Sequence, residues 1–190
     1  MKLFITFFIL VFIGFNTFSI ADNDEDKDKM ITYAAKGDLG KVAKYIKSGV
    51  DLNAKNKARW TALAYASKYG HFDIVKYLVE HGADVNLTVN VGSTPLQIAL
   101  NYKHYDIAKY LLKNGADVDI PDITGMTALA WAAKNGNLDE VKFLVENGAD
   151  VNSKNVNART ILDITVDYEV KQYLISKGAK TGKQLLQEAS

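Results

Sequence analysis

The chain has 190 residues, with 23 lysines and arginines against 22 aspartates and glutamates, and no cysteine. A formal net charge of +1 excludes the broad basic excess that general binding to nucleic acid or anionic membrane requires. The missing cysteines exclude a disulfide framework and thiol chemistry, so packing alone must hold the fold.

The first element is apolar. Lys2 precedes the run Leu3–Phe15, and Ser19-Ile20-Ala21 puts small residues at the −3 and −1 positions of a cleavage site. This is the layout of a secretory signal peptide, expected over 1–21. The acidic run Asp22-Asn23-Asp24-Glu25-Asp26 comes next and reads as a linker over 22–27. One cation before the apolar run and several anions after it favour export of the remaining chain, so the mature protein is expected in the periplasm or outside the cell. Lys2 is the only charge in the leader, and its loss leaves a neutral chain. The alternative is retention of Leu3–Ala21, a run just long enough to span a bilayer, giving a membrane-tethered scaffold. Asn16, Thr17 and Ser19 weaken that reading.

From residue 28 onward a period of about 33 residues organises the sequence. Gly49-Val50-Asp51, Gly82-Ala83-Asp84, Gly115-Ala116-Asp117 and Gly148-Ala149-Asp150 recur at that interval, and Asn53, Asn86, Asp119 and Asn152 keep step. Thr61-Ala62-Leu63, Thr94-Pro95-Leu96, Thr127-Ala128-Leu129 and Thr160-Ile161-Leu162 hold the same spacing. A fixed period of this length signals a solenoid, in which a unit buries its apolar side only against its neighbours. The units fall near 28–60, 61–93, 94–126, 127–159 and 160–183, with a tail over 184–190.

Within a unit the pattern predicts two helices. Thr94 can accept the free N–H groups of a helix start, and Pro95 suits the first helical position. Leu96, Ala99 and Leu100 mark a short apolar face, and Gly70 and Gly136 stop this first helix. Over Leu138–Asn147, Val141, Leu144 and Val145 give the second helix one apolar face. Gly82, Gly115 and Gly148 end second helices, and polar segments such as 119–125 join the units. Caps are expected at both ends: the first unit lacks the Thr-x-Leu opening, and Leu185, Leu186 and Ala189 are placed to cover the last face with a further helical turn.

Helix, turn, helix and extended turn, repeated at this interval, resemble the ankyrin repeat. Thr94-Pro95-Leu96, Gly70-His71 and the Gly-Ala-Asp-Val-Asn strings at 82–86 and 148–152 carry the likeness, which covers about 28–180. It implies an all-α solenoid of helix-turn-helix pairs with β-hairpin-like loops. There are departures. Ala64, Gln97, Ala130 and Asp163 replace a histidine frequent in the family. Arg59 and Ala158 replace the turn glycine kept at Gly92 and Gly125, so those two turns are expected to be looser or differently shaped. Lys103 stands where Gly70 and Gly136 end the first helix.

The resemblance further implies a monomer that binds a protein partner along a concave groove of turn tips and first helices. The positions left free for recognition are Lys57, Trp60, Asn90, Val91, Ser93, Ile123, Met126 and Arg159 at the tips, and Lys68, Tyr69, Asn101, Tyr102, Lys134 and Asn135 at first-helix ends. Trp60 either points outward as an anchor among Lys55, Lys57 and Arg59 or folds back over its glycine-lacking turn. Tyr69 and Tyr102 share a register and are placed to form a ladder with it. Trp131 is assigned to the core. His71, His81 and His104 have no companion at metal-ligand spacing, and no nucleophile motif or phosphate-cradling loop occurs. No catalytic residue, metal, cofactor, small-molecule substrate or nucleic acid is therefore expected. A partner of the exported-enzyme type, protected or regulated by the stack, is a third option.

Overall fold

The computed structural model describes residues 20–188. The expected leader lies outside them except for its last two residues, and Ala189 lies outside them as well. The helices are α1 (Ile20–Lys36), α2 (Leu39–Lys47), α3 (Ala62–Tyr69), α4 (Phe72–Glu80), α5 (Pro95–Asn101), α6 (Tyr105–Lys113), α7 (Ala128–Lys134), α8 (Leu138–Glu146), α9 (Ile161–Ile164), α10 (Tyr168–Ser176) and α11 (Gly182–Glu188). The first ten form five consecutive pairs. Among the described residues there is no strand, only an isolated bridge between Lys154 and Thr160, and no helix is long and apolar enough to cross a membrane.

The repeated threonines start the inner helices of units two to five. The side chains of Thr61, Thr94, Thr127 and Thr160 accept hydrogen bonds from the backbone N–H groups of Ala64, Gln97, Ala130 and Asp163, satisfying donors that a helix start leaves open. Two of the departures from the histidine pattern are thereby explained. Gln97 and Asp163 reach back to the Thr94 and Thr160 N–H groups and complete capping boxes.

One core runs the length of the stack. Leu63, Leu96, Leu129 and Leu162 of the inner helices and Leu78, Leu111, Leu144 and Leu174 of the outer helices are all buried in it. Each such side chain contributes about 2 kcal/mol when fully removed from water, and a solenoid unit buries its apolar side only against its neighbours, so no unit can hold it alone. Polar bolts reinforce the packing. Asn53, Asn86, Asp119 and Asn152 accept through side-chain oxygens from the N–H groups of Asp84, Asp117, Asp150 and Lys180 in the following unit. Asn86 and Asn152 also donate, to the Gly115 and Gly178 carbonyls. A carboxylate at Asp119 has no such donor.

The ends differ from the expected outline. The acidic stretch expected as a linker over 22–27 belongs instead to α1, which begins well before the frame of the first unit. Within α1, Glu25 and Asp24 pair with Lys29 and Lys27 one turn on. At the other end, α9 is a single turn. Thr165 bonds the Ile161 carbonyl, and Asp167 starts α10 by capping Val170. In α11, Leu185 is half-buried while Leu186 remains 70% exposed, so the final face is covered only in part.

Candidate interaction groove

The turn tips form one wall of the concave side. In three of the four, an Asn or Asp opens the hairpin and accepts from backbone N–H groups within it: Asn56 from Trp60, Asp122 from Thr124 and Met126, and Asn155 from Asn157 and Arg159. Such turns mimic a backbone turn with a side chain. Val89 occupies this position in the second tip and cannot do so. Its tip instead places Val91, a β-branched residue, at φ 55°, a conformation such residues rarely adopt.

Tips two, three and four are laced together. Ile123 N–H donates to the Val91 carbonyl at 3.2 Å and Val156 N–H to the Thr124 carbonyl at 3.1 Å. Glycine is required for this approach. A Cβ on Gly92 or Gly125 would lie 2.9 Å from the Ile123 nitrogen or 2.6 Å from that of Val156. Arg59 holds the same place in the first tip, and among the described residues no backbone bond joins Ala58 to Asn90. The junction is filled by side chains: Trp60 packs against the buried cluster of Ala64, Val89 and Ile98, and Lys55 donates to the Thr88 carbonyl at 2.6 Å. The turns at Arg59 and Ala158, expected to be looser or differently shaped, keep the left-handed φ of their glycine counterparts, at 63° and 59° beside 79° and 75°. The frame over-determines the turn and imposes the left-handed conformation on residues that resist it.

Behind the tips lies a groove of about 650 Å³. It collects Trp60, Asn90, Val91, Ser93, Asn101, Tyr102 and Asn135 of the candidate residues, together with Gln97, Lys103, Asp122, Trp131, Asn137 and Glu140. Lys68 and Lys134 sit beside it on ring faces. The Lys68 ammonium is 5.3 Å from the ring centres of both Trp60 and Tyr69 and 5.5 Å from that of Tyr102, while Lys134 stands 4.7 Å above Trp131. The ladder expected of Trp60, Tyr69 and Tyr102 runs instead from Trp60 through Tyr65, at 4.8 Å, to Tyr69, at 6.2 Å, and among the described residues Tyr102 meets Lys68 rather than another ring. Trp60 is half-buried, its edge folded over the first junction, and its cationic neighbour is Lys68 and not the tip lysines. Lys57, Ile123 and Arg159 are exposed outside the groove lining.

Two assignments are corrected. Met126 is not a contact residue, being only 5% exposed and part of the core. The tip closes over it, with its carbonyl accepting from Asp122 N–H. Trp131 is not core. It is 38% exposed because its place on α7 looks into the groove, and its Nε1–H donates to Asp122 at 2.8 Å, which fixes the ring's orientation. Burial raises the pKa of that Asp122 carboxyl, but hydrogen bonds from Thr124, Trp131 and Met126 outweigh it and hold the value below normal.

The rear of the groove exists because a recurring key is missing. His71 and His104 begin α4 and α6, and their Nε2 atoms lie 3.2 and 3.1 Å from the Ala35 and Lys68 carbonyls of the preceding unit. Each ring rests on a glycine; a Cβ on Gly37 or Gly70 would come within 2.8 or 2.7 Å of it. In the next unit Lys103 replaces the glycine, at φ 62°, and Asn137 replaces the histidine. Asn137 turns to Glu140 instead, accepting from its N–H and donating to its carboxylate. Burial pushes the Glu140 pKa up, against that bond and the charge of Lys103. Lys103 and Asn137 keep the sequence separation of Gly70 and His104. The paired departure was the available signal for this end of the groove.

Stacked helix pairs with a lined concave groove define a solenoid interaction module. Family comparison specifies which: a model of ankyrin repeats in three copies matches residues 30–122, and another of ankyrin repeats in many copies matches 111–164. The chain belongs to the ankyrin-repeat family. It is 35% identical over 63 residues to ankyrin repeat domain-containing protein 40 of Mus musculus and of Homo sapiens. That stretch is 33% of this chain and only 17% of each relative.

Proposed function

We propose that the chain is an exported interaction module or scaffold that binds a protein partner through the concave groove. Ankyrin repeats supply the general role, and the pattern of residues 1–21 supports export. The observation that carries the choice of surface is the meeting of Trp60, Tyr102 and Trp131 around one groove, with the Asn101 and Asn135 amides exposed at its edge. Large aromatic side chains already held by neighbours lose little freedom on binding and commonly dominate interfaces. Fold alone does not name the partner.

Two measurements test this reading. N-terminal sequencing of the mature chain is expected to begin at Asp22. A photo-crosslinking amino acid at position 102 is expected to attach one dominant protein in the native compartment, and Trp60→Ala is expected to abolish that attachment. The same probe at Lys109, exposed on the outer helix α6, is the control. Equal labelling from both faces would sink the assignment of the groove.

A further inference from the structure

On that reading of the groove, we propose that its partner presents an acidic peptide segment: carboxylates pair with Lys68 and Lys134, and an apolar side chain between them enters the space bounded by Trp60, Tyr102 and Trp131.

Lys68 and Lys134 are held by rings, not by acids. The ion pairs formed by the described residues lie within α1, within α4 and between Lys180 and Glu188, all away from the groove. A ring face attracts an ammonium through its quadrupole and leaves the full positive charge in place. It also restrains a side chain that would otherwise lose much of its rotamer freedom on pairing. Two cations are thus positioned without being neutralised, and this is the arrangement that a carboxylate completes.

The carboxylates in the groove do not compete for them. Asp122 uses one oxygen for the Thr124 hydroxyl and for the Thr124 and Met126 N–H groups, and the other for the Trp131 indole. Glu140 is tied to Asn137. Arg59, exposed on the first tip, extends the positive field beyond Lys68.

Spacing makes the proposal specific. Lys68 and Lys134 stand two units apart, and since packed helices lie about 10 Å from one another and the groove opens between α5 and α7, their separation along the stack is at least about 20 Å. An extended peptide rises about 3.3 Å per residue. The acidic groups should then be at least about six residues apart, with the apolar residue near the middle.

The chain's two tryptophans are Trp60 and Trp131, and both line the groove, so tryptophan emission reports on this site. The probe is the capped peptide Glu-Glu-Gly-Ser-Leu-Ser-Gly-Glu-Glu, titrated into the mature chain. A saturable emission change is expected, with binding weakening about tenfold as salt rises from about 0.05 to 0.5 M. The Lys68→Met, Lys134→Met double variant should weaken it about tenfold as well, while Lys76→Met on the outer face leaves it unchanged. The same peptide with lysine in place of glutamate should not bind. Unchanged emission with the acidic peptide, equal binding of the lysine peptide, or undiminished binding by the double variant would each overturn the proposal. If the partner crosslinked at position 102 binds the double variant as well as the wild type, the acidic segment falls and the groove stands. If crosslinking shows no preference for position 102, the groove falls too.

Discussion

The junction between the third and fourth tips and the junction between the first and second share one register and close in opposite ways. At the former, Gly125 lets two backbones meet, and Val156 N–H finds the Thr124 carbonyl. At the latter, Arg59 keeps the backbones from bonding, and Trp60, Val89 and Ile98 fill the space. A backbone closure is self-sufficient and leaves the side chains of Ile123 and Val156 exposed on the tips. A side-chain closure leaves an indole half-exposed at the groove mouth. Loss of one glycine thus trades a backbone hydrogen bond for side-chain packing.

The contrast can be broken most severely at Gly125. Gly125→Ala combines a left-handed alanine with a contact of 2.6 Å to Val156 and is expected to destabilise by about 3 kcal/mol, read as a lower urea midpoint. A smaller effect is expected at the rear of the groove. Asn137→His alone should be destabilising, since the Cβ of Lys103 occupies the ring's place. Combined with Lys103→Gly, it should restore the bond to the carbonyl of the preceding unit, with a favourable coupling of about 1.5 kcal/mol in a double-mutant cycle. Additive effects would mean that the two departures are unrelated. The smallest change has the opposite sign to the first. Arg59→Gly relieves a φ of 63° and should stabilise by about 1 kcal/mol, although it occupies the register position of Gly125.

Most of the frame was legible in the sequence, because threonine caps, stop glycines and inter-unit asparagines each meet a local chemical need that any unit must satisfy. The groove was legible only in outline. Trp60, Ser93, Met126 and Arg159 share one register, yet Met126 is core, Trp60 is half-buried and Arg159 is exposed. Their fates depend on the size of the neighbouring unit's side chains, which periodicity does not encode. Trp131 was misplaced for a related reason. Its counterpart Ile98 is buried because Trp60 and Val89 lie over it, whereas Trp131 has the polar side chains of Asp122 and Lys134 beside it. A helix as short as α7, Ala128–Lys134, gives apolar spacing too few turns to separate a core face from a groove face. The glycine-lacking turns differ in the other direction: the surrounding frame overrides local preference and keeps Arg59 and Ala158 left-handed.

Amide hydrogen exchange at three equivalent sites tests the difference between the junctions most directly. Ile123 and Val156 N–H groups, each bonded to the tip before, should exchange slowly under native conditions, and Asn90 N–H, which has no such bond, should exchange fast. Equal protection at all three would contradict the open first junction and the role given to Trp60 there.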